Sequence, residues 1–122
     1  MSRQDTRLLG RWGERLVADD LRRRGCSIVA ENYRCRFGEI DLIVEDNGYL
    51  SFVEVKLRRS QSFAPACCAV DWRKQQRLRT TAEHYLAQHP TPLQPRFDVA
   101  EVYAPQGLAT LRPEIYYIIN AF

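Results

Sequence analysis

Residues 38–56 read GEIDLIVEDNGYLSFVEVK, and the way this stretch folds decides the rest of the chain. Two runs rich in branched and aromatic residues flank Asn47-Gly48. That dipeptide tolerates the positive φ angles of a type I′ turn, so the stretch predicts a β-hairpin. A two-residue turn fixes the register: position 46 pairs with 49, and the numbers of every facing pair sum to 95. Asp41 is then expected opposite Glu54 and Glu39 opposite Lys56 on one face, with Ile43 and Phe52 beside them. Ile40 with Val55 and Leu42 with Val53 make the other face wholly apolar.

Facing Cβ atoms on such a pair lie ~4.5–5.5 Å apart, and diagonal neighbours ~7–8 Å. Two carboxylates that close repel, and burying an ionised group without compensation is costly. A divalent cation between Asp41 and Glu54 removes the penalty, and Lys56 stands one diagonal step from Asp41. The cluster therefore suits a hard metal with oxygen ligands beside a fixed positive charge. A solvated strand face, with Glu39 and Lys56 as an ordinary ion pair, accounts for those two residues. It leaves Asp41 facing Glu54 unexplained.

Working outward, Leu9, Trp12, Leu16, Val17 and Leu21 recur at helical spacing, and Gly25 after a run of arginines predicts the C-cap. CSIVAENYR predicts a strand near 26–34. Beyond the hairpin, a polar stretch from Leu57 to Ala69 precedes a second helix, capped by Asp71, striped by Leu78, Ala82, Tyr85 and Leu86, and stopped by Pro90. PTPLQP is a loop, RFDVAEVY (96–103) alternates as a strand, and EIYYII (114–119) predicts a last short one. Helix, three strands, helix and one or two strands define an α/β chain with a mixed sheet.

Global properties set wide bounds. A chain of 122 residues, 45% hydrophobic and 27% charged, is expected to form one soluble domain without staples. Its net charge of +3 permits a polyanionic partner without demanding one. The four cysteines (Cys26, Cys35, Cys67, Cys68) lack C-x-x-C spacing and matching histidines, so reduced thiols in a cytoplasmic protein are expected rather than zinc or disulfides. No signal-peptide pattern stands out, and no apolar run approaches the ~20 residues of a membrane span.

The spacing D-x(12)-E-V-K, Asp41 followed by Glu54-Val55-Lys56, resembles the PD-(D/E)xK signature of restriction-endonuclease-like nucleases. The wider text resembles the YraN family more specifically. It includes Gly13-Glu14, Asn32-Tyr33-Arg34, GEIDLI, FVEVK, Val70 with Lys74, Leu78, Ala82, Tyr85 and Leu86, RFDV (96–99) and the terminal NAF (120–122). That family comprises small bacterial predicted endonucleases similar to archaeal Holliday-junction resolvases. The resemblance spans nearly the whole chain and implies an αβββαβ core. It implies Asp41 and Glu54 as metal ligands for Mg²⁺ or Mn²⁺, with the Val55 carbonyl as a third and Glu14 completing the site from the first helix. Lys56 would orient or deprotonate the attacking water, or stabilise charge on the phosphate. Two departures stand out: Ile40 replaces the signature proline, and Ala64 stands where a loop glycine is expected.

The residues support those roles by their chemistry, since phosphodiester hydrolysis needs a metal to polarise the phosphate, an activated water and a counter-charge in the transition state. Arg58, Arg59, Arg73, Lys74, Arg77 and Arg79 follow the hairpin and surround the second helix start, a grouping suited to phosphates. Gln75 falls on the inward stripe at the first turn, where it can meet a site residue, DNA or the helix end. Glu14 shares a helical face with Gly10 and Ala18, small residues that allow close approach to a sheet. Asp98 beside Arg96 predicts a structural ion pair. The leading function is thus a metal-dependent DNA endonuclease acting on branched or flapped DNA in repair or recombination, with a homodimer suggested by symmetric two-strand cleavage. The competing function is a nucleic-acid-binding module with a nuclease-like fold that partners repair or recombination proteins. A purely binding module has no use for an intact Asp41, Glu54 and Lys56.

Overall fold

In the computed structural model, residues 3–59 and 70–122 are described. Cys67, Cys68 and Ala64 lie outside them. Helix α1 (Arg3–Arg23) ends in a Schellman arrangement, with Cys26 N–H donating to Leu21 O at 2.9 Å and Gly25 N–H to Arg22 O at 3.0 Å. Gly25 takes the left-handed φ of 93° that this cap requires. Three strands follow, β1 (Ser27–Cys35), β2 (Gly38–Asp46) and β3 (Tyr49–Arg58). Helix α2 (Trp72–Gln88) starts on the Asp71 carboxylate, which accepts from Lys74 N–H at 2.9 Å. Strands β4 (Gln94–Tyr103) and β5 (Glu114–Ile118) complete the order.

The sheet runs β1-β2-β3-β4-β5, and its β3–β4 pair alone is parallel. A parallel pair needs a crossover, and α2 supplies it. The two helices lie on opposite faces. Leu78, Ala82 and Tyr85 of α2 pack on Ile43, Phe52, Phe97 and Val99. Val17 and Ala18 of α1 pack on Leu42, Val44, Val53, Ala100 and Val102. The result is a mixed α/β architecture in the expected αβββαβ order, with β5 added at the edge. No described helix is long and apolar enough to cross a membrane. Cys26 and Cys35 are free thiols.

Asn47 and Gly48 adopt φ of 46° and 87°, and the β2–β3 ladder follows the expected register from Asp46↔Tyr49 to Leu42↔Val53. There it stops. Asp41 and Glu39 therefore do not pair across the ladder with Glu54 and Lys56, as unbroken pairing would require. Ile40 also departs from expectation, packing with Ile43 in the α2-side cluster instead of sharing the α1 face with Val55. Residues three apart occupy one face only if strict alternation slips between them. Ala30 and Tyr33 of β1 join that same cluster, so the neighbouring strand slips at the same level. The sheet forks at this point.

Candidate functional site

The fork is held open by a side chain. Val55 N–H, which an unbroken ladder would give to a β2 carbonyl, donates instead to Asp41 Oδ2 at 2.8 Å. The N–H and C=O of one strand residue leave the same edge, so the Val55 carbonyl is turned to this gap as well. Glu54 lies next to it on β3 and is buried. Its Oε1 is 2.9 Å from Lys74 Nζ, which reaches in from the first turn of α2. Lys56 lies against Lys74, so that two amines sit beside two carboxyls.

Glu14 enters from the other layer. Gly13 permits this, since a Cβ there would meet Leu57 Cδ2 at 3.1 Å, whereas one at Gly10 would meet nothing within 4 Å. Close approach of α1 thus rests on Gly13 rather than on Gly10. The Glu14 side chain lies against Asn32 and Asp41, and its Oε1 is buried with no hydrogen-bond partner.

The electrostatics follow from this crowding. Burial, then the Glu54 charge, pushes the Asp41 carboxyl up to about 8, with Glu14 adding to the rise and the Val55 N–H and Lys74 opposing it. Burial raises Glu14 too, against the downward pull of Asn32 and Asp41 beside it. Burial and then the adjoining Lys74 depress Lys56. For Lys74 burial pulls downward, but the Glu54 carboxylate outweighs it and the net shift is upward. The cluster opens into a cleft of about 580 Å³ whose walls include Glu39, Asp41, Glu54, Lys74 and Arg77.

The remaining sequence-predicted residues divide. Arg77 lines the cleft and Arg73 is exposed on α2. Arg59 is exposed and borders a separate hollow with Leu9 and Ala104. Arg58, expected to reach phosphates, is largely buried and ion-paired with Glu101, which is 1% exposed. Gln75 ties down the helix start, its Nε2 donating to Val70 O at 3.0 Å. Arg79 stacks over the Phe97 and Phe122 rings, 5.1 and 5.5 Å from their centroids. Glu39 pairs with Arg34 at 2.9 Å and not with Lys56. Asp98 and Arg96 form the expected ion pair at 2.9 Å. Sequence reading placed Lys74 among the phosphate contacts and missed its position against Glu54. The signal was available: an Asp71 N-cap fixes Lys74 on the first turn, where α2 meets the sheet.

An acidic cluster with two lysines, set in a cleft where a mixed α/β sheet forks, defines this class of domain. Comparison with known proteins adds the family. The family model described as "Uncharacterised protein family UPF0102" matches residues 13–102, which include every residue of the cluster. UPF0102 proteins are 44% identical over 115 residues in Alkaliphilus metalliredigens, covering 93% of this chain and 96% of that one. In Caldanaerobacter subterraneus subsp. tengcongensis identity is 38% over 123 residues, covering both chains completely. In Nocardia farcinica it is 46% over 104 residues, covering 84% and 82%. The chain belongs to the UPF0102 family.

Proposed function

We propose that this protein is a divalent-metal-dependent endonuclease that hydrolyses DNA phosphodiester bonds. The observation that carries the reading is the convergence of Glu14 on Asp41 and Glu54, which line the cleft, with the Asp41 carboxyl pushed up to about 8. Carboxyls so placed either hold a proton or share a cation. The donors are all hard oxygens, and the orphaned Glu14 Oε1 is a lone pair without a protein partner. Among the described residues no group of three or more acidic, cysteine or histidine side chains forms a ready-made metal cage. Mg²⁺ does not need one, because it keeps several waters and takes one or two carboxylates. Asp41 and Glu54 would hold the ion, with the Val55 carbonyl and Glu14 in support. Bound there, Mg²⁺ or Mn²⁺ supplies Lewis acidity to the phosphodiester.

The chain's own residues account for the rest. Lys56, depressed by burial and by Lys74, gives up its proton more readily than an ordinary lysine and so is suited to orient an attacking water or take a proton from it. Lys74, pinned on Glu54, stays charged and counters the negative charge that grows on the phosphate. Arg77 on the cleft wall and Arg73 beside it would hold flanking phosphates. Branched or flapped DNA, a homodimer and repair or recombination proteins as company belong to the same reading through the resolvase resemblance. The test is single-turnover cleavage of junction, flap, single-stranded and duplex DNA with Mg²⁺ or Mn²⁺. Cleavage by wild type that Asp41→Asn and Glu54→Gln abolish, with DNA affinity equal or higher, is the expected result. Tight DNA binding without cleavage under any of these conditions would leave the binding-module function in its place.

A further inference from the structure

Among the described residues three non-glycine residues have a left-handed φ: Asn32 (54°), Asn47 (46°) and Asn120 (56°). Asn47 sits in the hairpin turn and Asn120 in the turn after β5, where such angles are ordinary. Asn32 lies inside strand β1, where nothing in the pairing of a regular strand calls for it. The β1–β2 ladder runs Glu31↔Leu42 and then Tyr33↔Ile40, so the pair left out between them is Asn32 and Asp41. Both strands slip their alternation around that pair, as shown by Ala30 with Tyr33 and Ile40 with Ile43. The Asn32 side chain, meanwhile, faces Glu14 on α1 closely enough to favour its charged form.

We propose that Asn32 is a positioning residue. Its left-handed backbone absorbs the kink that frees Asp41 from the ladder, and its carboxamide holds the Glu14 carboxylate against Asp41 so that both face one divalent cation. Asparagine meets both demands: it tolerates this backbone region better than other side chains, and it carries an N–H donor for a carboxylate. The inference rests on the metal-site reading of the cluster, but not on the nuclease activity.

The test is calorimetric titration of Mn²⁺ into the full chain and its variants, beside thermal melting of each in EDTA. Asn32→Gly keeps the left-handed backbone and removes the carboxamide. Asn32→Asp keeps the shape and tolerates the backbone but loses the donor. Mn²⁺ affinity should fall about tenfold in Asn32→Gly, the lower end of what groups behind a metal ligand contribute, and at least as far in Asn32→Asp. Melting of Asn32→Gly in EDTA should stay near wild type. Because Asn32 acts through Glu14, Asn32→Gly combined with Glu14→Gln should bind Mn²⁺ no more weakly than Glu14→Gln alone. Wild-type affinity in Asn32→Gly, or losses that add in the double variant, would overturn the proposal. Should Asn32→Gly not fold, undiminished affinity in Asn32→Asp overturns it equally. A wild-type chain that ignores Mn²⁺ refutes both this proposal and the metal-dependent reading. Asn32-dependent Mn²⁺ binding without DNA cleavage leaves the positioning role standing and removes only the endonuclease.

Discussion

Asp41 concentrates the chemistry of this chain, since it gives up its place in a ladder, accepts the Val55 N–H and crowds two other carboxyls. An unfolded Asp releases its proton near ~3.9, whereas Asp41 keeps it until about 8. Between those values the folded state binds the extra proton, so the stability of the metal-free protein should fall as pH rises from ~4 through about 8. Metal must displace that proton, so the rise in melting temperature produced by Mn²⁺ should be larger at pH 8.5 than at pH 6, the two conditions flanking about 8. Asp41→Asn should flatten the first dependence and remove the second; equal Mn²⁺ shifts at both pH values in wild type would contradict the assignment. The two lysines should separate in kind. Lys56→Met should cost single-turnover cleavage on the order of 10²-fold or more while Mn²⁺ still binds. Lys74→Met should in addition leave Glu54 buried without its partner, and so lower the melting temperature of the metal-free protein more than Lys56→Met does. If Lys56→Met cleaves normally and melts low, its role is structural support.

Among the elements, the hairpin was legible because Asn47-Gly48 leaves one turn type open, and the register of β2 on β3 followed from that turn alone. Helix ends were legible for the same local reason: Gly25 and Asp71 are caps whose chemistry lies within a few residues. The fork was not legible, because it depends on Asn32 of one strand, Asp41 of the next and Glu14 of a helix, which meet only in three dimensions. The basic residues misled for a related reason, since composition cannot tell a guanidinium that faces solvent from one that answers a buried acid. The two kinds should respond differently. Arg58→Ala strands the buried Glu101 carboxylate and should cost about 3–5 kcal/mol of stability in urea unfolding, the range for breaking a buried pair, while leaving the salt dependence of DNA binding alone. Arg73→Ala with Arg77→Ala should leave stability nearly unchanged and flatten the slope of log affinity against log salt by up to about 2. A salt slope that moves with Arg58 and not with the α2 pair would reverse the assignment.

At the scale of the whole molecule, both faces of one sheet are sealed by a helix and its far edge by the C-terminal residues. Asn120 N–H donates to Asp98 Oδ1 at 2.8 Å, Ala121 N–H donates to Phe97 O at 2.7 Å, and Phe122 stacks on Phe97 at 5.0 Å beneath Arg79. Asp98 also takes Ser51 Oγ–H and Arg96, which reaches on to Asp46 at 3.1 Å, so one buried carboxylate ties β3, β4 and the chain end together. Phe122→Ala should therefore cost about 2 kcal/mol, short of the ~3–5 of a fully buried phenylalanine because its side chain is only partly buried. A loss under about 0.5 kcal/mol, the range of an ordinary surface change, would mean the stack contributes nothing. Asp41 and Phe122 lie at opposite ends of this design, and the forked sheet gives the first of them a use beyond chemistry. Since Val55 N–H is lent to a carboxylate and Val53 is paired with Leu42 in the regular ladder, the two amides form an internal probe and reference. In a ¹⁵N–¹H spectrum the Val55 resonance should move as Mg²⁺ is added, and again as pH crosses about 8, while Val53 holds still, so that the occupancy of the cluster can be followed with no substrate in the tube.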